Sequence, residues 1–324
     1  MSKTVKAALV QAAPIPLAIG DGITALLDHV ADAADIGAQL VAFGETFLGG
    51  YPIWLDEAPN AALWDHRGTQ ALHAILLDQA LRPDDPRLEP LQQLVDAADI
   101  LVSVGAHERV RSSLTNTQYL FRPGLPPLLH RKLVPTHGER MIWGRGDGST
   151  LDVHQAPWGT VGSLICWEHW MPLARAAMHH AGEVVHVAAW PTVRPMYRVA
   201  SQHYAFEGRC FVLAAGLVQH RRDLLDGLDR VGGDADARDL ILGIADTQLQ
   251  SGGSCIIAPD GTLLAETGAD PDLLIAELDL DAIGRGLTAL DTDGHYARPD
   301  VFELRVDRRP RLGVADAEDG FAQG

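Results

Sequence analysis

The sequence predicts an α/β fold in which helices cover the faces of largely buried sheets. Short strands and helical segments alternate along the chain, which is the pattern of α/β proteins. Many strands are apolar at every position, as expected when both faces of a sheet are buried. Neither an internal repeat nor an interdomain linker interrupts this order, so residues 1–290 are predicted to form one domain.

The predicted elements alternate from the first residues onward. An apolar strand over residues 5–12 ends before Pro14, and the helical spacing of apolar residues predicts a helix over 22–36. A strand over 39–43 leads to Glu45, and a turn covers 49–52. The middle of the chain begins with two predicted helices, over 69–80 and 87–97, separated by a Pro-Asp-Asp-Pro breaker at 83–86. They are followed by strands over 100–106 and 116–121, a loop over 134–150, and strands over 151–154 and 160–165. The last predicted elements are a helix over 172–180, a strand over 184–189, a helix over 196–207, a strand over 211–215, a hairpin over 252–258 and 263–267, and a strand over 273–278.

Residues 291–324 differ in composition from the domain that precedes them. They are rich in Asp, Arg and Gly and contain few periodic apolar positions. This composition predicts a C-terminal tail that either lies against a partner subunit or is disordered.

Charge and hydrophobicity exclude several classes of partner. The formal net charge is −17 and no basic stripe is present, which disfavours nucleic acid and anionic membranes. The 47% hydrophobic content is ample for a core, yet no apolar run approaches membrane-spanning length. The N-terminus enters a strand without the long apolar stretch of a signal peptide, so we expect a cytoplasmic protein.

The spacing of cysteines and histidines argues against disulfides and metal centres. Cys166, Cys210 and Cys255 are odd in number and widely spaced, so neither a disulfide framework nor paired metal ligands are predicted. The 14 histidines form no HExxH motif, and we expect no metal site. The sequence also lacks a GxSxG elbow, a P-loop and a complete Rossmann fingerprint.

Lysine is rare in this chain, which draws attention to Lys132. Of the 26 Lys and Arg residues, only Lys3, Lys6 and Lys132 are lysine. A position that keeps lysine under such a bias indicates a need for a compact ammonium rather than a planar guanidinium. A chance surface lysine would explain Lys132 taken alone, but its neighbours in the pattern favour a functional role.

Two apolar runs each end in a reactive residue, Glu45 after 39–43 and Cys166 after 160–165. A helix that starts after Cys166 is expected to lower the thiol pKa, whereas a packed core residue is the default for a free cysteine. We keep that default for Cys210 and Cys255. A partly desolvated Glu45 near a thiol can act as a general base, and Lys132 can stabilise an anionic intermediate. Together these residues predict a thiol-based C–N hydrolase.

Glu139 and His169 lie near these motifs and allow more than one role. Glu139 either holds Lys132, assists proton transfer, or forms a surface ion pair with Arg140. A papain-like pair of Cys166 and His169 is disfavoured, because a histidine three residues further along a helix points along the axis.

The three motifs, in this order and spacing, resemble the nitrilase or carbon–nitrogen hydrolase superfamily over nearly the whole chain to about residue 290. The resemblance implies that Glu45 is the general base, Lys132 the catalytic lysine, Cys166 the nucleophile and Glu139 an auxiliary glutamate. Cys-Trp-Glu-His at 166–169, His-Gly-Glu-Arg at 137–140 and the run at 186–191 are similar to true nitrilases. Amidase and carbamoylase branches more often have Tyr or Phe and then Asp after the cysteine.

The resemblance implies a four-layer α-β-β-α sandwich. It also implies that subunits pair across a helical face into homodimers or larger homo-oligomers, which form spirals in some members. Residues 291–324 would be available for such contacts. The resemblance further implies hydrolysis of a small organic nitrile to its acid and ammonia through a cysteine thioimidate and thioester, with no metal or organic cofactor. An amidase or N-carbamoyl amino acid hydrolase with the same residues is the alternative, and a non-enzymatic scaffold is a third.

Aromatic residues beside the catalytic segments suggest a pocket wall for aryl or arylalkyl nitriles, with core packing as the competing explanation. The candidates are Tyr51, Trp54, Trp143, Trp167 and Trp190. We select Tyr51, Trp167 and Trp190 as substrate-binding residues.

Overall fold

The computed structural model describes residues 4–82 and 84–311, and two six-stranded sheets form the centre of the molecule. The strands are β1 (Thr4–Gln11), β2 (Leu40–Phe43), β3 (Leu101–Val110), β4 (Ser113–Arg122), β5 (Leu125–Arg131), β6 (His154–Ala156), β7 (Gly159–Ile165), β8 (Val185–Ala189), β9 (Phe211–Ala215), β10 (Val218–His220), β11 (Gln248–Ser251), β12 (Cys255–Ile257), β13 (Leu263–Glu266) and β14 (Asp272–Asp279). The α-helices are α1 (Ile19–Asp35), α2 (Trp54–Glu57), α3 (Arg67–Gln79), α4 (Glu89–Ala98), α5 (Pro172–His180), α6 (Pro195–Gly208), α7 (Arg221–Arg230), α8 (Ala235–Leu242) and α9 (Asp281–Leu287).

The two sheets are built alike, with parallel strands in the centre and antiparallel strands towards the edges. The first has the order β14-β1-β2-β3-β4-β5, and β1, β2 and β3 are parallel. The second has the order β13-β12-β9-β8-β7-β6, and β7, β8 and β9 are parallel. Helices connect the parallel strands, as this topology requires. A separate pair, β10 and β11, lies outside both sheets.

Three apolar cores divide the molecule into four layers. Between the sheets, Leu9 and Leu40 of the first pack with Val185 and Phe211 of the second. On the outer face of the first sheet, α1 and α4 bury their apolar stripes. On the outer face of the second, α5 and α6 do the same, with Tyr204 fully buried. The expected α-β-β-α sandwich is confirmed.

The site lies where chain segments leave both sheets on one side of the sandwich. The segment after β2 crosses to the second sheet, where the backbone N–H of Glu45 donates to the Trp190 carbonyl at 3.1 Å. Gly44 allows this approach, because a methyl group there would lie 2.9 Å from that carbonyl oxygen. The ends of β2, β5 and β7 thereby converge.

Most predicted elements are present, but residues 216–251, for which the sequence predicts no element, contain β10, α7, α8 and β11. Helix α7 has the sequence RRDLLDGLDR and buries only Leu224, Gly227 and Leu228, so its apolar period is weak. Strand β5 was not predicted because it begins with Leu-Pro-Pro, and proline is disfavoured in strands. Helices α2 and α9, of four and seven residues, were also missed.

The tail packs against its own chain as far as the structure describes it. Val306 joins the core beneath α5 and α6, and the Arg308 guanidinium donates to the Leu151 carbonyl. Residues 312–324 of the predicted tail, like Lys3 and Pro83, lie outside the described residues. No described helix combines the length and apolarity needed to cross a membrane.

Gly105 tests how tightly the sheet supports the segment that carries Glu45. A methyl group at Gly105 would overlap the Thr46 backbone nitrogen. Because backbone cannot move cheaply, we expect Gly105→Ala to lower the free energy of unfolding by about 1–3 kcal/mol. Gly20→Ala in the first turn of α1, where the space is open, is the control and should be neutral or stabilising. Urea unfolding measures both, and a Gly105→Ala protein as stable as the parent would contradict the packing described here.

Candidate active site

Three charged side chains meet in the interior of the sandwich. Lys132 Nζ donates to Glu45 Oε1 and to Glu139 Oε2, each at 2.7 Å. Glu45 and Lys132 have no exposed surface and Glu139 is 3% exposed. Charges this far from water interact strongly, and each is costly to bury without its partners. The three side chains therefore form one electrostatic unit.

Local structure fixes each member of this unit. Lys132 follows β5, and its N–H donates to the Asn116 carbonyl on β4 at 2.8 Å. Glu139 lies in a 3₁₀ turn over His137–Met141, where its Oε2 accepts from the Thr136 N–H at 2.7 Å. Glu45 is followed by Thr46 with φ of 51°, a conformation that is strained for a β-branched residue. These constraints leave the carboxylates little freedom to rotate away from Lys132.

Two neutral side chains donate further hydrogen bonds to the carboxylates. Tyr51 Oη donates to Glu139 Oε1 at 2.8 Å, and Asn116 Nδ2 donates to Glu45 Oε1 at 2.6 Å. Glu45 Oε2 accepts no hydrogen bond from any residue that the structure describes. One oxygen of Glu45 is therefore held in place, and the other remains available as a proton acceptor.

Cys166 lies beside this unit at the end of β7. Its sulfur and carboxylate oxygens of Glu45 and Glu139 all lie within 4.8 Å of one another. The residue has φ of 54° and is 3% exposed. Residues of these types can also ligate a metal ion, but the Lys132 ammonium already bridges both carboxylates, and a cation would have to displace it.

The helix predicted over 172–180 is present as α5, but a five-residue 3₁₀ turn, Cys166–Trp170, separates it from the end of β7. The Trp167 N–H favours the thiolate, but this effect is small beside the others. Burial, reinforced by Glu45, raises the pKa of the Cys166 thiol well above its usual range. The prediction of a lowered thiol pKa is therefore wrong, because burial disfavours the thiolate more than the following backbone N–H groups favour it.

The other two reactive groups are also shifted from their ordinary values. Burial raises the pKa of Glu45 to about 7, although Lys132 opposes the shift. Burial alone would lower the pKa of Lys132, but the carboxylates of Glu45 and Glu139 raise it above the usual lysine value. At neutral pH the site thus holds a lysine ammonium, a protonated thiol and a glutamate poised to exchange a proton.

A cavity of about 170 Å³ opens beside the sulfur. Of the predicted residues, Glu139, Cys166, Tyr51 and Trp167 line it. Trp190 does not. It is fully buried behind the wall, where its indole N–H donates to Ser201 Oγ at 3.1 Å and its ring stacks on Tyr197. The prediction that Trp190 lines the pocket is therefore wrong, because its side chain, which follows β8, points towards α6.

Several lining residues were not found from the sequence. Tyr197 supplies the aromatic surface that was attributed to Trp190, and the exposed Arg194 and Asp56 add opposite charges at the mouth. The sequence analysis also missed Asn116, which donates a hydrogen bond to Glu45. Asn116 could have been found as a polar side chain in the middle of a buried strand, because such a side chain needs a hydrogen-bond partner. Trp54 and Trp143 are core residues, and the Trp143 indole donates to His107.

Comparison with known proteins agrees with this geometry. The carbon-nitrogen hydrolase model matches residues 6–286. The chain belongs to the carbon-nitrogen hydrolase family. An aliphatic nitrilase of Sinorhizobium fredii is 37% identical over 311 residues, which cover 95% of this chain and 97% of that protein. An arylacetonitrilase of Trametes versicolor is 36% identical, with 96% and 99% covered. Such relatives confirm the resemblance to the nitrilase branch.

Solved structures share the fold at much lower identity. An amidase from Nesterenkonia sp. AN1 superposes with a TM-score of 0.63 at 17% identity, covering 92% of this chain and 97% of that one. A carbon-nitrogen hydrolase from Helicobacter pylori G27 has a TM-score of 0.64 at 15% identity, with 91% and 98% covered. These likenesses confirm the four-layer architecture.

The raised thiol pKa predicts how Cys166 reacts with iodoacetamide. The rate of alkylation should keep rising beyond the ordinary cysteine pKa of about 8.5, because little thiolate exists at neutral pH. In Glu45→Gln the inflection should move to lower pH, since Glu45 is a charge that opposes the thiolate. Cys210 and Cys255, both without exposed surface, serve as internal controls in the peptide map. A rate that levels off below neutral pH would contradict the raised pKa.

Proposed function

We propose that this protein is a nitrilase that converts a small organic nitrile to its carboxylic acid and ammonia through Cys166. The observation that carries the proposal is the buried Lys132 between Glu45 and Glu139, with the Cys166 sulfur at the floor of an open cavity. The full-length similarity to nitrilases at up to 37% identity supports nitriles over other C–N substrates.

In the first step, Cys166 Sγ attacks the nitrile carbon. A carbon–sulfur bond forms, one carbon–nitrogen π bond opens, and Glu45 Oε2 takes the thiol proton and passes it to the nitrogen. A general base with a pKa near neutrality suits this transfer. The Lys132 ammonium and the Trp167 N–H stabilise the developing negative charge, and a thioimidate results.

In the second half, water adds to the thioimidate carbon as Glu45 removes a proton from the water and delivers it to the nitrogen. The hydroxyl of the tetrahedral intermediate gives up its proton to the nitrogen as the carbon–nitrogen bond breaks, so that ammonia leaves and a thioester remains on Cys166. A second water, again activated by Glu45, attacks the thioester, and the carbon–sulfur bond breaks to release the acid and restore the thiol. Loss of the sulfur before ammonia leaves would give the amide as a by-product.

Glu139 contributes to this scheme by holding Lys132 in place. Its Oε2 accepts from both Lys132 Nζ and the Thr136 N–H, and its Oε1 accepts from Tyr51 Oη. With Glu139 present, the ammonium stays between the two carboxylates instead of pairing with Glu45 alone. Tyr51 and Trp167 line the cavity and are proposed to contact the substrate.

Ammonia release from matched substrates tests the activity. The parent should release ammonia from phenylacetonitrile or from an aliphatic dinitrile, and not from the corresponding amides. Cys166→Ala should lose at least roughly a thousandfold in rate, since it removes the nucleophile. Cys255→Ala, which changes a buried cysteine in β12 away from the cavity, is the matched control and should remain active. Ammonia from the amides only would move the protein to the amidase or carbamoylase alternative.

The pH profile tests the role of Glu45. Glu45 acts as a base only when ionised, and burial raises its pKa to about 7. We therefore expect kcat/KM to fall as the pH decreases below this value, because the folded enzyme becomes protonated at Glu45. A profile that stays flat down to about the ordinary glutamate pKa of 4.3 would contradict this role.

We further propose that the protein forms homodimers across the outer face of α5 and α6. That face exposes a group of large apolar side chains, which is unusual for a monomer. They are Trp170, Leu173, Met196, Val199 and Phe206. Residues 1–290 would form the catalytic domain, and residues 291–324 would be available for further contacts. The three free cysteines suit a reducing, cytoplasmic compartment.

Light scattering coupled to size-exclusion chromatography tests the dimer. Leu173→Asp, at a side chain that is 71% exposed, should halve the measured mass, because the new charge would be buried against the partner. Trp64→Ser, at a residue that is 97% exposed and outside this face, should leave the mass unchanged. An unaltered mass in Leu173→Asp would place the contact elsewhere.

A further inference from the structure

A line of buried side chains leads from the backbone of Cys166 into the second sheet. His169 Nδ1 bonds the Cys166 carbonyl oxygen at 2.7 Å, and His169 Nε2 lies 3.0 Å from His186 Nε2. His186 Nδ1 in turn lies 2.8 Å from Glu183 Oε2. The three side chains are at most 4% exposed. The mechanism above uses none of them.

The direction of the hydrogen bonds determines the protonation states. The Cys166 carbonyl can only accept, so His169 carries its proton on Nδ1. Burial, followed by the charge of His186, lowers the pKa of His169 to about 3, so its Nε2 has no proton and accepts from His186. His186 Nδ1 faces the Glu183 carboxylate and must donate as well. An imidazole that donates from both nitrogens is a cation.

The groups around Glu183 keep it ionised. Tyr204 Oη donates to its Oε1, and His179 Nδ1 lies 3.6 Å from the same oxygen. Burial opposes ionisation, but His186 and His179 prevail and hold the pKa of Glu183 well below its usual range. Glu183 thus has a cation on either side, as expected for a carboxylate in the interior.

The same pattern continues to the surface between α5 and α6. His179 Nε2 lies 3.4 Å from Glu207 Oε2, and Arg175 Nε donates to that oxygen at 2.6 Å. Two further titratable groups face this cluster: Cys210, whose thiol pKa is raised by burial, and His203, whose Nδ1 lies 3.9 Å from Glu207 Oε2. From Arg175 to His186 the charges therefore alternate in sign, which leaves no buried charge unpaired.

We propose that His186, held as a cation by Glu183, fixes His169 in its Nδ1–H tautomer, and that His169 thereby holds the Cys166 carbonyl and the left-handed backbone that directs the sulfur into the cavity. A non-glycine residue with φ of 54° is strained and persists only when its surroundings hold it. The hydrogen bond from His169 Nδ1 to the Cys166 carbonyl holds the backbone in this conformation. His169 and His186 are positioning residues, and neither ring nitrogen of His169 is free to act as a base for the thiol. The inference concerns the same site as the proposed nitrilase function and rests on Cys166 being its nucleophile.

Histidine substitutions that keep or remove one donor test the inference. His169→Ala removes the bond to Cys166, and we expect kcat to fall roughly 10- to 100-fold with KM little changed, the usual effect of losing an orienting partner. His169→Asn places an amide N–H near the position of Nδ1 and should restore most of kcat. His180→Ala, on the exposed end of α5, is the control and should match the parent. Thermal unfolding of each variant shows whether it is folded.

A second measurement does not depend on nitrile turnover. In ¹⁵N-histidine NMR of the parent at neutral pH, His186 should be protonated on both nitrogens and His169 on Nδ1 alone, with assignments from His186→Gln and His169→Asn. The alkylation rate of Cys166 should fall in His169→Ala and recover in His169→Asn whatever substrate the enzyme uses. A neutral His186, or a His169→Ala protein with parental kcat and alkylation rate, would overturn the inference. Failure of nitrile hydrolysis alone would overturn only the proposed function.

Discussion

The ion pairs of Lys132 with Glu45 and Glu139 are the constraint on which the rest of the structure depends. A lysine without exposed surface is stable only if its charge is matched at short range, and removal of either carboxylate would leave a charge uncompensated in the interior. The three residues come from segments that follow β2 and β5 and from a 3₁₀ turn beyond them. These segments all follow strands of the first sheet, whereas Cys166 ends β7 of the second. The two sheets must therefore pack in one arrangement to place the Cys166 sulfur beside the ion pairs.

This electrostatic arrangement determines the resting chemistry. The surroundings disfavour the thiolate and bring the pKa of Glu45 close to neutrality. In the proposed mechanism, the thiol therefore passes its proton to Glu45 as the sulfur attacks, and the Lys132 ammonium stabilises the anion that forms. Behind the sulfur, the alternating charges from Arg175 to His186 support the backbone of Cys166 from the opposite side. The reactive residue is thus held by one charged network at its side chain and by another at its carbonyl.

Much of this arrangement could be predicted from the sequence, because Glu45 and Cys166 each follow an apolar run and buried strands are easy to recognise. Lys132 stood out because the chain has only three lysines. The raised pKa of Cys166 could not be predicted, since it depends on burial by residues distant in sequence. Trp190 was wrongly predicted to line the pocket, because the sequence does not determine to which side an aromatic side chain at a strand end points. His169 and His186 are 17 residues apart, and only the pairing of β7 with β8 brings them together.

In the proposed mechanism, Cys166 forms a covalent bond to a nitrile beside the ion pairs of Lys132. Rapid-quench mass spectrometry of the full chain mixed with phenylacetonitrile or an aliphatic dinitrile, followed by peptide mapping, tests it most directly. We predict an adduct of thioimidate or thioester mass on the peptide that contains Cys166 in the parent, and no such adduct in Cys166→Ala. Steady release of ammonia with no adduct on Cys166, or with an adduct on another residue, would contradict the account.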